Sequence, residues 1–145
     1  NNPNIRFVGA DQFPHLSNKE KSTNWLSRQI ERQSNQTYGQ LAVIEKATRT
    51  FIGVGGIIER NDEALVGFEI TYSLLPPFWG KGYATELAMH FKSFALENIA
   101  SKEIASIIHL ENEASINVAK KNGMHAARTV DNYMGMPVAV YKLRQ

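Results

Sequence analysis

The chain has 145 residues, enough to bury a hydrophobic core without crosslinks, and we expect a single domain over residues 1–145. It has no cysteine, which excludes a disulfide framework, a thiolate zinc site and a cysteine nucleophile. Its 16 Lys and Arg residues are interspersed with 14 Asp and Glu residues. A nucleic-acid binder usually shows a basic face, so we expect no nucleic-acid partner.

Nothing in the hydropathy pattern suggests a membrane segment. The longest apolar runs, residues 51–58 and 104–110, are too short to cross a bilayer, and residues 1–4 lack signal-peptide character. The four histidines show no metal-ligand spacing, so we expect no metal. These features favour a cytoplasmic protein that makes no membrane contact.

The first predicted element is a helix. Residues 1–16 show no sustained period, and we expect irregular structure there or a short helix near residues 5–8. Ser17 and Glu20 have the spacing of a capping box, which predicts a helix through about Gln33. The apolar side of this helix is expected to consist of Trp25, Leu26 and Ile30.

After the first helix, the spacing of apolar residues changes to that of β-strands. The runs 41–44 and 51–58 are separated by a polar turn, which predicts an antiparallel hairpin. Glycines inside the second run indicate a bulge or a close packing contact, and they are Gly53, Gly55 and Gly56. A third, longer strand is predicted over residues 65–75.

Residues 76–86 join this third strand to the clearest amphipathic helix of the chain. Gly80 and Gly82 let the backbone turn with its N–H groups inward, and the helix start adds unpaired N–H groups and the positive end of its dipole. A phosphate or pyrophosphate would fit there, although a plain strand-to-helix turn has the same pattern. The apolar face of the helix comprises Ala84, Leu87, Ala88, Phe91, Phe94 and Ala95.

The C-terminal part predicts one parallel and two antiparallel strands. Residues 104–110 are almost wholly apolar, which is typical of a buried strand parallel to its predecessor. A shorter helix is expected to begin at Asn112 and to end before Gly123, and two strands follow over residues 124–130 and 137–143. The expected fold class is therefore α/β (α+β), with a mixed, mostly antiparallel central sheet flanked by helices.

Two motifs resemble the GNAT superfamily of N-acetyltransferases, and most closely its RimJ and RimL branch of ribosomal-protein N-terminal acetyltransferases. The first motif is GFEITYSLLPPFWGKGYATE over residues 67–86, although Pro77 stands where the family's pyrophosphate loop usually begins with Gln or Arg. The second is NEASINVAKKNGM over residues 112–124, with Met124 where the family usually has Phe. The resemblance covers about residues 2–143 and implies the GNAT acyl-CoA N-acyltransferase fold.

The resemblance implies acetyl-CoA as co-substrate and an amine acceptor as the other partner, in a monomer or a homodimer. The pyrophosphate would lie on backbone N–H groups of the glycine loop, and the pantetheine arm would pair with the third strand like an additional strand. The residues implied to contact the coenzyme are Ser73, Leu74, Leu75, Trp79, Gly80, Lys81, Gly82, Tyr83, Ala84, Thr85 and Asn112.

The chain departs from the family pattern near its beginning. Family members usually have a strand and a helix ahead of the segment that resembles residues 2–8, and the sequence does not contain them. Without these elements, the strand predicted over residues 41–44 is expected to be an exposed edge that a partner chain could cover.

Acetyl transfer from a thioester to an amine requires a neutral amine, a stabilised oxyanion and a leaving thiolate. Glu69 is the candidate base because it is the only carboxylate on the strand that enters the loop, although a glutamate on a strand's solvent face is common. The oxyanion donor is expected to be the N–H of Leu74 or Leu75. Many relatives carry a tyrosine at the position of Ala119, so Ser115 is the nearest candidate to bond the sulfur, unless it caps the helix.

The expected activity is transfer of an acetyl group from acetyl-CoA to a primary amine. The branch resemblance favours a protein or peptide N-terminus, while small amines and aminoglycosides stay open as acceptors. A non-catalytic, regulatory acyl-CoA-binding module is the alternative from another functional class. A dinucleotide oxidoreductase is disfavoured because Thr85 replaces the third glycine and three predicted antiparallel strands precede the loop.

Overall fold

The computed structural model describes residues 15–35, 38–99 and 103–143, so the expectation for residues 5–8 lies outside the described part. A short 3-10 turn at Pro76–Phe78 precedes the second helix. The helices are α1 (Asn18–Ser34), α2 (Tyr83–Asn98) and α3 (Glu113–Lys121). The strands are β1 (Gln40–Ile44), β2 (Phe51–Asn61), β3 (Val66–Leu74), β4 (Glu103–His109), β5 (Met124–Tyr133) and β6 (Met136–Leu143).

The strands of the described residues form one six-stranded sheet in the order β1-β2-β3-β4-β6-β5. Only β3 and β4 pair in parallel, because α2 connects them, and the other neighbours are antiparallel. This arrangement confirms the predicted mixed, mostly antiparallel sheet flanked by helices. Strand β1 lies at one edge of the described sheet.

A glycine in β2 permits a close approach between backbones in the β1–β2 hairpin. A Cβ atom on Gly56 would lie 2.1 Å from the carbonyl oxygen of Gly39, so no larger residue fits without moving the chain. The pairing register also shifts between Val43 and Ile44, which marks a bulge. The predicted roles of the β2 glycines, a bulge or a close packing contact, are therefore both present in this hairpin.

Helices α2 and α3 cover one face of the sheet, and the larger core cluster lies between them and the strands. Three residues of the predicted α2 face are buried, namely Ala88, Phe91 and Ala95. Phe94 is 40% exposed, and its ring instead contacts the edge of Tyr38. A smaller cluster on the strands β4, β5 and β6 and the β2–β3 turn comprises Ala64, Leu65, Ala105, Tyr133, Val138 and Val140.

Helix α1 has the predicted start, but it does not bury the predicted apolar side chains. Leu26 and Ile30 are 54% and 58% exposed, whereas Gln29 is buried. The reason is a hydrogen bond: Gln29 Oε1 accepts the N–H of Gln40 at 3.1 Å, so this face of α1 satisfies the first donor of β1. The helix thereby lines one side of a large cleft.

We expect Ser17→Ala to lower the free energy of unfolding by about 1 kcal/mol, because it removes half of a capping box. Ser17 Oγ accepts the N–H of Glu20 at 3.3 Å, and the Glu20 carboxylate accepts the N–H of Ser17 at 2.8 Å. Urea denaturation measures the loss. Ser27→Ala, at an exposed position inside the same helix, is the control and should cost nothing, since alanine is the better helix former.

Candidate functional site

The site lies where β3 and β4 separate. The two strands pair from Gly67 and Glu103 to Glu69 and Ala105, and no further pair of these described strands follows. One side chain makes a hydrogen bond across the point of separation: Ser106 Oγ donates to the carbonyl oxygen of Ile70 at 3.1 Å. We refer to the open space beyond this bond as the fork.

Ser106 was missed by the sequence reasoning, although the sequence held a signal for it. It is a buried polar residue in the middle of an otherwise apolar strand. A buried hydroxyl requires a hydrogen-bond partner, and a polar residue at such a position therefore indicates an irregularity in the neighbouring backbone.

The backbone of β3 directs one of the predicted oxyanion donors into the fork. The N–H of Leu75 donates to the carbonyl oxygen of Ile52 at 2.8 Å and is therefore engaged with β2. Successive residues of a strand turn their N–H groups to opposite sides, so the N–H of Leu74 faces the fork while that of Ser73 faces β2. Of the two predicted donors, only Leu74 is available. Its carbonyl oxygen accepts from Trp79 Nε1 at 2.7 Å, which holds the loop against the strand end.

The glycine loop presents a row of unpaired donors. Gly80 and Gly82 have φ values of 72° and 86°, and a Cβ atom at either position would meet no protein atom within 4 Å. Within the described part of the chain, the backbone N–H groups of residues 80–85 have no backbone acceptor. The N–H of Trp79 is not one of these donors, which corrects the expectation for that residue, because the 3-10 turn uses it to bond the carbonyl oxygen of Pro76.

These six N–H groups, which we call the cradle, precede and begin a helix of 16 residues. Helix α2 adds the positive end of its dipole to the same place, so the cradle fits a diphosphate group. The ammonium group of Lys81 lies 5.3 Å from the centroid of the Phe78 ring. The hydroxyl of Tyr83 donates to the carboxylate of Glu45, which fastens the β1–β2 turn beside the cradle. Ala84 and Thr85 lie in the first turn of the helix and are partly buried.

Across the fork, the first turn of α3 brings a hydroxyl group toward β3. Asn112 is the helix cap, since its Oδ1 accepts the N–H of Ser115 at 3.2 Å, so the alternative that Ser115 caps the helix is wrong. The side chain of Ser115 lines the same cleft as Tyr72. Burial raises the pKa of Tyr72. Ala119 lies one turn further along and is buried in the core.

Glu69 is buried, so the alternative of a glutamate on the solvent face of the strand is wrong. It is 7% exposed, and both Arg60 Nε at 2.7 Å and Arg60 Nη2 at 2.6 Å contact its Oε2 atom. Burial raises the pKa of the Glu69 carboxyl, and the guanidinium of Arg60 offsets only part of that rise. The second oxygen, Oε1, lies outside the ion pair with Arg60.

A second acidic group lies near this ion pair. The hydroxyl of Tyr133 donates to Asp62 Oδ2 at 2.9 Å, and the charge of Asp62 further raises the pKa of Glu69. Arg60, Tyr133 and Glu69 line the same cleft as the cradle and the fork, and its volume is about 1860 Å³. The cleft is thus large enough for an extended ligand together with a second molecule.

Within residues 15–35, 38–99 and 103–143, no group of His, Asp and Glu side chains has the arrangement of a metal site. None of the described helices combines the length and the apolar character that crossing a bilayer requires.

Comparison with protein families gives one match that covers most of the chain. Residues 1–125 match the model of the acetyltransferase (GNAT) domain. Among curated proteins, the chain is similar to the uncharacterized protein YkkB of Bacillus subtilis (strain 168), with 29% identity over 130 residues. That alignment covers 90% of this chain and 75% of YkkB.

The solved structures that share the fold include two acetyltransferases. An acetyltransferase from Agrobacterium tumefaciens str. C58 superposes with a TM-score of 0.75 and 21% identity, over 99% of this chain and 79% of that one. RimL, a ribosomal L7/L12 alpha-N-protein acetyltransferase solved in complex with coenzyme A, superposes with a TM-score of 0.74 and 15% identity. The RimL alignment covers 92% of this chain and 77% of that one.

Proposed function

The chain belongs to the GNAT acetyltransferase family, as the match over residues 1–125 shows, and from this premise we propose that it transfers the acetyl group of acetyl-CoA to a primary amine. The observation that carries the proposal is the cradle of six unpaired N–H groups beside a fork whose near wall presents one free strand donor, the N–H of Leu74. A diphosphate and an extended pantetheine arm need these two features side by side.

The coenzyme would be held mainly by backbone groups. The diphosphate would accept hydrogen bonds from residues 80–85, with the Thr85 hydroxyl near a phosphate. The pantetheine arm would lie in the fork beside Ser73, Leu74 and Leu75, with Asn112 contacting it from the side of α3. Because the loop and β3 are already fixed by the Trp79 bond to Leu74, little ordering entropy would be lost on binding.

Glu69 is proposed as the base that takes a proton from the acceptor's ammonium group. An alkyl ammonium has a pKa near ~10 and must lose a proton before it attacks. The Oε1 atom of Glu69 lies outside the ion pair with Arg60, and the raised pKa of the carboxyl makes it a better proton acceptor than an ordinary glutamate. A water molecule between Glu69 and the amine would complete the path.

Groups on the walls of the fork would meet the two remaining requirements, which are stabilisation of the oxyanion and departure of the thiolate. When the amine attacks the thioester carbon, the N–H of Leu74 would donate to the developing oxyanion, an interaction of the kind worth roughly 3 kcal/mol. As the carbon–sulfur bond breaks, the Ser115 hydroxyl would donate a hydrogen bond to the sulfur. A thiol has a pKa of only about 8.5, so this departure needs modest assistance, and Ala119 in place of a tyrosine is compatible with turnover.

The acceptor we favour is the α-amine of a peptide or protein, as in the RimJ and RimL branch. The support is the motif over residues 67–86 and the shared fold with RimL, an acetyltransferase of the ribosomal protein L7/L12. The second candidate is a regulatory module that binds acyl-CoA without catalysis. The observation that favours it is Ala119, whose methyl side chain stands where many relatives carry a tyrosine.

Thermal unfolding with acetyl-CoA, CoA and NAD tests the proposal. A ligand at 100 times its Kd stabilises the folded state by about 2.7 kcal/mol, which predicts that Tm rises by roughly 5–10 °C with acetyl-CoA and with CoA. NAD should leave Tm unchanged. Measuring the release of CoA with a panel of peptides, polyamines and aminoglycosides then distinguishes an acetyltransferase from a regulatory module. Stabilisation by NAD alone would refute the proposed coenzyme, and tight CoA binding without turnover would favour the module.

A further inference from the structure

Helix α1 places a row of basic side chains along the cleft. The row consists of Lys21, Trp25, Arg28 and Arg32, and we call it the basic face. These residues recur at intervals of four, three and four positions, so they lie on one side of the helix. The helix also has two carboxylates, and neither of them lines the cleft. Helix α1 therefore contributes only positive charge to this wall.

Hydrogen bonds fix α1 beside the strand that carries Glu69. Gln29 Oε1 accepts the N–H of Gln40 at 3.1 Å, and Gln40 Nε2 donates to Thr71 Oγ1 at 3.3 Å. The second bond crosses β2 at Gly56, which pairs with both residues and has no side chain in the way. Thr71 follows Glu69 by two positions, so the two side chains share a face of β3 and lie roughly 7 Å apart along it. An acceptor whose amine is at Glu69 therefore has α1 close by.

The basic face begins near this bridge and runs away from it. A Cβ atom on Gly39, the residue before Gln40, would lie 3.6 Å from both Cβ and Cδ of Arg32, so the stem of Arg32 packs there. A helix rises about 1.5 Å per residue, so the face extends from Arg32 to Lys21 over roughly 16 Å. An extended peptide covers that distance with about five residues. The basic face is thus within reach of the first residues of a peptide whose terminal amine lies at Glu69.

The carboxylates that line the cleft come from other elements. They are Glu69 on β3, and Glu111 and Glu113 at the junction of β4 and α3. Of the remaining cations that line it, Arg60 is paired with Glu69, and Lys121 lies at the end of α3. The cleft therefore offers carboxylates on β3 and at the start of α3, and positive charge along α1. A molecule with an amine at one end and carboxylates further along fits this distribution.

We propose that the basic face selects acidic acceptors, that is, peptides with Asp or Glu in the first few residues after the reacting amine. This inference rests on the proposed function and names the class of its acceptor. The guanidinium groups of Arg28 and Arg32 can each bind a carboxylate through two parallel hydrogen bonds. A guanidinium has five N–H donors, so it can bind a carboxylate while it keeps a partner within the protein. These contacts hold the acceptor and take no part in the chemical step.

Acetylation of three peptides that differ only at positions two to four tests the selection. One peptide carries Asp and Glu at these positions, the second carries Asn and Gln, and the third carries Lys. We expect kcat/KM, measured by the release of CoA at low salt, to be about tenfold higher for the acidic peptide than for the amide peptide, because a hydrogen bond between charged groups typically contributes that much. The ratio should fall as salt is added. The lysine peptide should be the poorest acceptor.

Variants of α1 show whether the basic face causes this preference. Arg28→Gln and Arg32→Gln should each lower the ratio of the two kcat/KM values, and the double variant should bring it close to one. Lys19→Gln is the matched control, since it removes a positive charge from an exposed position of the same helix outside the cleft. It should keep the wild-type ratio. Thermal melting of every variant checks that it is folded.

The outcomes separate this inference from the proposed function. Equal kcat/KM values for the acidic and amide peptides in the wild-type protein would overturn the selection alone, since turnover would still support acetyl transfer. An equal loss of the ratio in Lys19→Gln would overturn it too, because net charge would then be the cause. An unchanged ratio in the double variant would do the same, and weaker binding of acetyl-CoA by that variant would then assign the basic face to the coenzyme. Binding of acetyl-CoA without turnover of any peptide would remove the proposed acetyl transfer to peptides and this inference with it.

Discussion

Gly82→Ala will lower the affinity for acetyl-CoA by about tenfold or more while the chain still folds. Gly82 has a φ of 86° at the start of α2, a left-handed conformation that costs a residue with a Cβ atom roughly 1–2 kcal/mol. The added methyl group meets no protein atom within 4 Å, so it occupies open space at the cradle. Either the methyl group or a relaxed backbone would then spoil the row of N–H donors. Isothermal titration with acetyl-CoA measures the loss.

Gly123→Ala separates the loss of the donors from the cost of the strained conformation. Gly123 has a φ of 81°, and its Cβ atom would likewise meet no protein atom within 4 Å. It follows α3, outside the residues that line the cleft. Both variants should therefore lose a similar free energy of unfolding, but only Gly82→Ala should lose affinity. Equal affinities for acetyl-CoA in the two variants would show that the cradle does not bind the coenzyme.

Local patterns in the sequence were sufficient for the elements and for the cradle. The capping box at Ser17 and the helical period of α2 each act within a few residues, so spacing predicted them. Gly80 and Gly82 of the loop could also be predicted from local sequence, because a backbone turn with positive φ values favours glycine. The parallel pairing of β3 with β4 followed from one apolar strand after one helix.

The residues that escaped prediction are those whose partners are distant in the chain. Arg60 meets Glu69 only because the β2–β3 register places the two strands side by side, and the Ser106 hydroxyl meets the carbonyl oxygen of Ile70 only because β4 lies beside β3. The direction of the Leu75 N–H depends on the same register. A shift of one residue would reverse every one of these assignments, and no local pattern fixes the register to that accuracy.

Glu69→Gln will reduce kcat by about 100-fold or more and leave the affinity for acetyl-CoA nearly unchanged, if Glu69 is the base as proposed. Removal of a general base typically costs 10²–10⁴-fold, and the amide keeps the shape of the side chain and an oxygen for Arg60. Steady-state kinetics with a peptide acceptor measures the change. Glu63→Gln, at an exposed position of the β2–β3 turn, is the control and should retain full activity. A Glu69→Gln variant with normal kcat would leave Glu69 only its ion pair with Arg60.

The pH dependence of kcat/KM also tests whether Glu69 is the base. Since burial raises the folded pKa of Glu69 above its ordinary value of 4.5, kcat/KM should rise with pH at a higher pH than for an ordinary glutamate. Arg60 lowers that pKa, so Arg60→Gln should move the rise to still higher pH. Between the unfolded and folded pKa values the folded state binds more protons, and this contribution to stability therefore falls as pH increases. Glu69→Gln should abolish both the rise in kcat/KM and this fall in stability, whereas a purely structural carboxylate would lose only the latter.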